Sequence, residues 1–156
     1  MSDTLPAPGV LRRLAAQVYD SFLLFALLYV ATGLYQGLAG AWQDMRTPVL
    51  NEQVVTDLPI VASGPLFQLY LLAIIVLFFL YFWCRLGQTL GMQVWKLKLV
   101  DEQGALVSAP RALGRLAAAT LSWAALGMGY WWIWLDREGL AWHDRLSGTR
   151  VIRVPR

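Results

Sequence analysis

The sequence predicts an all-α integral membrane protein with two transmembrane helices, a third, glycine-broken membrane-embedded segment, and a small cytoplasmic β-hairpin joined by the C-terminal strand. Three observations lead to this fold class. Hydrophobic residues make up 58% of the 156 residues and charged residues only 15%, well below the roughly 25% charged residues of soluble domains. The chain has three long runs without charge, and short alternating segments follow the second and third runs. We therefore expect a single membrane domain over residues 1–156.

The first predicted span, 14–42, follows a flexible leader, 1–11. No charged side chain lies between residues 21 and 42, and a helix of that length is roughly 30 Å long, enough to cross the hydrocarbon core. The run is too long for a cleaved signal peptide, so we expect a retained anchor. Asp20 stands at its start, with Arg13 two helical turns earlier on the same face. A carboxylate in or near lipid is costly unless it is paired or used, so Asp20 is a candidate functional residue.

The second predicted span, 66–84, follows an extracytoplasmic loop, 43–65. Pro65 suits a first helical turn, and an aromatic cluster precedes Arg85, as expected at a membrane interface. The next segment, 87–111, is predicted to hold the cytoplasmic hairpin. Its alternating residues 94–100 are expected to pair with 105–107, and the strand-like tail at 149–154 is expected to add a third strand.

The third apolar segment, 112–135, is interrupted by Gly127 and Gly129. It either spans once or forms a re-entrant or interfacial element that bends at the glycines. Lys and Arg number two before the first run, one between the first and second, five between the second and third, and five in the tail, 136–156. The positive-inside bias then favours two spans with a non-crossing third segment. This topology places both termini in the cytoplasm, with the protein in the plasma (inner) membrane.

Four short motifs lie in order around the apolar runs. They are Arg13-Leu14-Ala15-Ala16 followed by Asp20, Gly87-Gln88-Thr89-Leu90-Gly91-Met92, Arg111-Ala112-Leu113-Gly114-Arg115, and His143-Asp144-Arg145-Leu146-Ser147-Gly148-Thr149. In this order they resemble the motifs of the RDD membrane proteins, a family named for one arginine and two aspartates, over roughly residues 11–154. The resemblance implies Arg13, Asp20 and Asp144 as the three name-giving residues. Met92 stands where the family commonly has lysine.

A polar cluster on the cytoplasmic side is the predicted functional site. It comprises Arg13, Asp20, Arg115 and Asp144, with His143, Arg145, Gly87, Thr89 and Gly91 as secondary members. Two interpretations stay open for Asp20: a structural clamp that fixes helix packing, or a protonatable group of a transport site. For Asp144 the alternatives are an ionic network with Arg13 and a helix N-cap. The glycines at 87 and 91 predict a sharp turn rather than a phosphate-binding loop.

The functional expectation is a non-enzymatic assembly, scaffold or accessory protein that uses no cofactor. A single histidine and no nearby cysteine make a metal site unexpected, and the basic residues flank apolar runs instead of forming a nucleic-acid-binding patch. Expected partners are membrane lipids, and either other copies of the chain or other membrane proteins. The alternative, implied by the resemblance, is a homo-oligomeric antiporter of monovalent cations and protons, with Asp20 as the carrier.

Overall fold

The computed structural model describes residues 8–44 and 64–154. The chain divides into two compact units, Leu23–Ile75 and Met1–Phe22 together with Val76–Arg156. Most of the predicted leader, 1–11, and nearly all of the predicted loop, 43–65, lie outside the described residues.

Two long helices dominate the chain. Helix α1 is Val10–Asp44 and helix α2 is Pro65–Tyr81. Two segments, Val10–Trp42 and Pro65–Leu86, are helical, long and apolar enough to cross a membrane. This confirms that both predicted spans are long apolar helices.

The unit Leu23–Ile75 is held by aromatic contacts between residues of these two helices. The ring of Tyr35 lies 5.0 Å from that of Phe67 and 5.5 Å from that of Tyr70, measured between centroids. The hydroxyl of Tyr70 also donates to the carbonyl of Ala31 at 3.3 Å. Such tilted aromatic pairs stabilise helix contacts beyond the area they bury.

In the other unit, α2 continues into one π-helical turn, Phe82–Leu86, which ends at Gly87 in the left-handed conformation, with φ of 70°. A side chain there would meet the carbonyl oxygen of Leu99 at 3.1 Å, so both backbone conformation and space favour glycine. The short helix α3, Leu90–Val94, follows at once. The predicted sharp turn after the second span is therefore present at its first glycine.

The sheet contains two antiparallel strands, β1 at Leu97–Asp101 and β2 at Thr149–Arg153. Leu97 pairs with Arg153 and Asp101 with Thr149, so the predicted C-terminal strand is confirmed.

The predicted partner strand at 105–107 is wrong, because that segment has no strand geometry. The Asp101 carboxylate accepts the backbone N–H groups of Gln103 and Ala105, at 3.0 and 2.8 Å. This closes a tight local turn in place of a hairpin ladder. The backbone N–H of Leu99, in the middle of β1, donates to the Gly87 carbonyl at 2.7 Å. This N–H group is therefore not free to pair with a further strand.

The rest of this unit is helical. Helix α4 is Ala109–Ala124, α5 is Met128–Trp131 with a 3₁₀ turn after it, and α6 is Trp142–Ser147. The predicted break in the third apolar segment lies between α4 and α5. Two apolar clusters pack the unit: Ala16, Trp83, Met92, Leu97, Leu99, Val107, Ala112 and Val151 in one, and Val10, Tyr130, Ile133 and Ala141 in the other.

Candidate functional site

Asp144 is fully buried and joins three helices. Its Oδ2 accepts from the Arg13 guanidinium at the start of α1, and its Oδ1 accepts from the Arg115 guanidinium on α4, each at 2.5 Å. The side chains of Arg13 and Arg115 are only 4% and 7% exposed. Removing one partner from such a buried ionic group leaves uncompensated charge, so these contacts restrict how the helices pack.

The position of Asp144 within α6 differs from the predicted N-cap. The N-cap is Ala141, and Asp144 is the third residue of the helix. Its Oδ2 accepts a hydrogen bond from the Ala141 backbone N–H at 3.0 Å. This bond, from the third side chain back to the N-cap backbone, is one of the two bonds of a capping box. Alanine has no side-chain acceptor to complete the box. Asp144 therefore begins the helix and pairs with the arginines at once, so both interpretations of this residue hold in part.

The two arginines extend these contacts to further segments. Arg13 donates to the carbonyl oxygens of Gly139 and Pro8, at 3.1 and 3.3 Å. Arg115 donates to the Thr149 hydroxyl at 2.7 Å, at the first residue of β2. The guanidinium carbon of Arg115 also lies 5.5 Å from the centroid of the Trp83 ring, a cation–π contact.

We call Arg13, Arg115, His143, Asp144 and Thr149 the Asp144 network. Burial raises the pKa of Asp144, but Arg115 and then Arg13 lower it, and the net pKa lies well below the ordinary value. Burial lowers the pKa of His143 to about 3, and the nearby charge of Arg115 acts in the same direction. With a neutral histidine, two guanidinium groups and one carboxylate leave the network with excess positive charge.

His143 joins the Asp144 network by packing, since its side chain makes no hydrogen bond among the described residues. It is 2% exposed, and its ring lies 4.7 Å from that of Tyr130. Its Nε2 lies 3.7 Å from Asp144 Oδ1, beyond hydrogen-bond distance. Its Nδ1 has no hydrogen-bond partner among the described residues.

Asp20 has a separate set of partners, the Asp20 network of Asp20, Thr89 and Gly91. Its Oδ2 accepts from the Thr89 hydroxyl at 2.5 Å, and its Oδ1 accepts from the Gly91 backbone N–H at 2.8 Å. Thr89 is the N-cap of α3, and its oxygen also accepts the Met92 backbone N–H at 3.2 Å. The carboxylate therefore binds the first turn of α3, where free backbone N–H groups favour negative charge.

Gly91 allows this contact because it lacks a side chain. A Cβ at position 91 would lie 2.9 Å from the Asp20 carboxyl carbon and closer still to the Ala16 carbonyl oxygen. The contact joins the backbone of α1 to the backbone of α3 at Gly91, and backbone atoms cannot move aside as the end of a flexible side chain can. The glycine that the sequence associates with a turn thus serves close approach between two backbones.

Within residues 8–44 and 64–154, no group of three or more His, Cys, Asp or Glu side chains is placed to hold a metal ion.

The RDD family model matches residues 7–148 of the chain. The chain belongs to the RDD family. No curated protein and no solved structure matches it. Family membership and the two long apolar helices together indicate a membrane protein.

Arg13, Asp20 and Asp144, which the resemblance implies as the name-giving residues of the family, fall into two networks in this chain. Arg13 and Asp144 are in direct contact, whereas Asp20 bonds to Thr89 and Gly91. Of the predicted cluster, the structure brings Arg13, Arg115 and Asp144 together and places Asp20 with other partners.

Among the secondary residues, Thr89 and Gly91 join Asp20. Arg145 lies outside both networks and pairs with Asp136 at 2.5 Å. Sequence reasoning missed the Thr149 hydroxyl and the Gly139 carbonyl as partners of the arginines. It also gave no partner for Gln17, which donates to the Tyr130 hydroxyl. The available sequence signal for the partners of Asp20 was Thr89 followed by Gly91, because these residues supply a helix N-cap and a position without a side chain.

Proposed function

We propose that this RDD-family chain is a non-enzymatic assembly or accessory protein of the membrane, in which the two carboxylates hold the fold together. The observation that carries the proposal is that both carboxylates bond to the chain itself. Asp144 accepts from two arginines and one backbone N–H, and Asp20 accepts from a threonine hydroxyl and a backbone N–H. Buried carboxylates bonded in this way rigidify a structure and are poorly placed to bind and release a ligand.

The arrangement of these contacts supports a structural role. The Asp144 network joins the start of α1 to α4, α6 and β2, and the Asp20 network joins α1 to the first turn of α3. Together they fix the start of helix α1 to the other elements of the same unit through buried residues. Such a unit presents a defined surface to other membrane proteins or to further copies of the chain, which are the partners that we propose.

Asp20→Asn tests this proposal. The amide preserves the shape of the side chain but places an N–H₂ group opposite the Gly91 N–H or the Thr89 hydroxyl. We expect lower abundance in the membrane and loss of oligomer integrity, measured by quantitative immunoblotting and light scattering of the purified protein. Ser21→Ala is the matched control, because the neighbouring Ser21 is exposed and bonds only within its own helix. Normal abundance and assembly of Asp20→Asn would contradict a structural role.

A cation/proton antiporter with Asp20 as the protonatable carrier is the second candidate. The favouring observation is that the ion pairs among the described residues involve Asp101, Asp136 and Asp144 but not Asp20. An acid within a predicted span that lacks a cationic partner is the group that a proton-coupled carrier needs. Under this alternative, Asp20→Asn stays folded and assembled but loses exchange of Na⁺ or K⁺ for protons.

A further inference from the structure

Helix α4 is amphipathic in the opposite sense from a helix on a soluble protein. Its buried residues include the charged Arg115 and the hydroxyl of Ser122, which is 0% exposed. Its outward residues include Leu113 and Leu121, which are 45% and 66% exposed. Arg115 is the only charged residue in 112–135, so the outward surface of this segment carries no charge. Polar groups inside and apolar groups outside are the arrangement expected where the surroundings are lipid.

The exposed apolar residues continue beyond α4. We call them the outer face: Leu121, Trp123, Leu126, Met128, Trp131, Trp132, Trp134 and Leu135, each at least 42% exposed. Soluble monomers rarely expose a contiguous apolar patch of this kind. Four of the eight residues are tryptophans, which concentrate where hydrocarbon meets lipid headgroups.

The chain reverses direction in the middle of this segment. Leu126 and Gly127 both adopt positive φ, 55° and 77°, directly after α4. The Gly127 N–H donates to the Ser122 carbonyl at 2.8 Å, and a Cβ on Gly129 would lie 2.7 Å from Ser122 Cβ. Residues after the turn therefore pack back against α4. Leu126, at the tip, is 91% exposed, although water-exposed turns at positive φ favour glycine or asparagine.

The parts of the chain before and after residues 116–135 are in direct contact. Arg115 contacts Asp144, and Arg115 also contacts Thr149 at the start of β2. Beyond Arg115, α4 extends only to Ala124, a rise of about 14 Å, against the roughly 30 Å of a hydrocarbon core. The pairing of β1 with β2 likewise joins a strand that precedes residues 116–135 to one that follows them. This geometry allows residues 116–135 to enter the membrane and return on the same side, but α4 is too short to cross it.

We propose that residues 116–135 form a hairpin that inserts its outer face into one leaflet of the membrane and returns to the side from which it entered. The occupant of the outer face is the lipid itself, at the boundary between acyl chains and headgroups. Charge supports this choice, because arginines flank the hairpin at both ends. Arg137 is exposed, and Arg111, which pairs with Asp101 at 3.4 Å, keeps a side chain that is 41% exposed, so both can meet anionic headgroups.

Site-directed spin labelling of the full chain in liposomes of phosphatidylglycerol and phosphatidylethanolamine tests the proposal. In a Cys84→Ala background, one label is placed at Leu126→Cys on the hairpin tip. The matched control label is at Gln103→Cys, which lies on the exposed turn after β1. Collision of each label with oxygen, which concentrates in lipid, and with a water-soluble nickel chelate reports its surroundings.

We expect the Leu126 label to collide readily with oxygen and several-fold less with nickel than the Gln103 label does. Nickel access equal to that of the control would overturn the proposal, because the face would then lie in water. Exclusion of both reagents, with short label-to-label distances between copies, would also overturn it in favour of a second copy as the occupant.

The same-side return has its own test. In sealed vesicles, an impermeant thiol reagent is expected to reach Gln103→Cys and Arg153→Cys from the same side, and labelling from opposite sides would show a crossing. If the Cys84→Ala background fails to fold, quenching by lipids brominated on the acyl chain replaces the spin labels. Wild type is compared there with Trp134→Phe, and we expect quenching to fall when Trp134 is removed. Unchanged quenching would overturn the proposal.

Discussion

Asp144→Asn is the perturbation that bears most directly on the buried network. Within residues 8–44 and 64–154, it removes the only carboxylate that contacts Arg13 and Arg115, whose side chains are 4% and 7% exposed. Two guanidinium groups then lie buried without a counter-charge, and breaking a buried ionic network in this way costs about 3–5 kcal/mol. For a chain of this size, each kcal/mol lowers the melting temperature by about 2–4 °C, so we expect a decrease of roughly 6–20 °C.

The assay is thermal unfolding of the purified protein in mild detergent, followed by far-UV circular dichroism. Glu138→Gln is the matched control: it removes one carboxylate charge from an exposed residue near the same helix, and the expected change is about 0.5 kcal/mol or less. Adding Arg115→Met to Asp144→Asn is expected to destabilise by less than the sum of the single variants, because the second change removes one of the unpaired charges. An Asp144→Asn midpoint equal to that of the control would show that the buried ion pairs do not stabilise the fold.

Two further predictions concern the remaining contacts. Gly91→Ala is expected to destabilise the protein by about 1–3 kcal/mol, because the added methyl group would overlap Asp20 and the Ala16 backbone. Gly114→Ala is the control: a Cβ there meets nothing within 4 Å, and we expect it to stabilise its helix by up to about 1 kcal/mol. Equal unfolding midpoints for the two variants would contradict the close approach at Gly91. Acid is expected to destabilise the protein through His143, whose pKa is about 3 in the fold and 6.5 as the ordinary value. The unfolded chain takes up the proton first, so stability is complete above about pH 6.5 and falls by up to about 1.4 kcal/mol per pH unit between there and pH 3. Unfolding midpoints at pH 7, 5.5 and 4.5 measure the slope, and an equal slope in His143→Gln would refute it.

The membrane helices and the strand pairing were predictable because they depend on local composition. A charge-free run of more than twenty residues is long enough to span whatever the rest of the chain does. The tail strand followed from alternation at 149–154 and 94–100. The predicted strand at 105–107 failed because the Asp101 side chain captures nearby N–H groups. That competition between a side chain and a strand ladder is not visible in the hydrophobic pattern.

The partners of the two aspartates were harder to predict. Helical spacing relates Asp20 only to its own helix, whereas its actual partners lie at positions 89 and 91. Such contacts depend on where the turn after α2 lies in space, and no local periodicity encodes that position. The start of α6 was obscured for a different reason: its N-cap is Ala141, which is not a preferred capping residue. Asp144 was therefore assigned to the cap that it in fact supports from the third position.

We propose that the buried carboxylates of this RDD-family chain hold its structure and do not carry ions. The most direct test is to reconstitute the wild-type protein in sealed liposomes containing a pH-sensitive dye, impose a proton gradient, and add Na⁺ or K⁺. An exchange ionophore serves as the positive control. We expect cation addition to move the internal pH no more than in protein-free liposomes. Cation-dependent proton movement that disappears in a folded Asp20→Asn variant would contradict it.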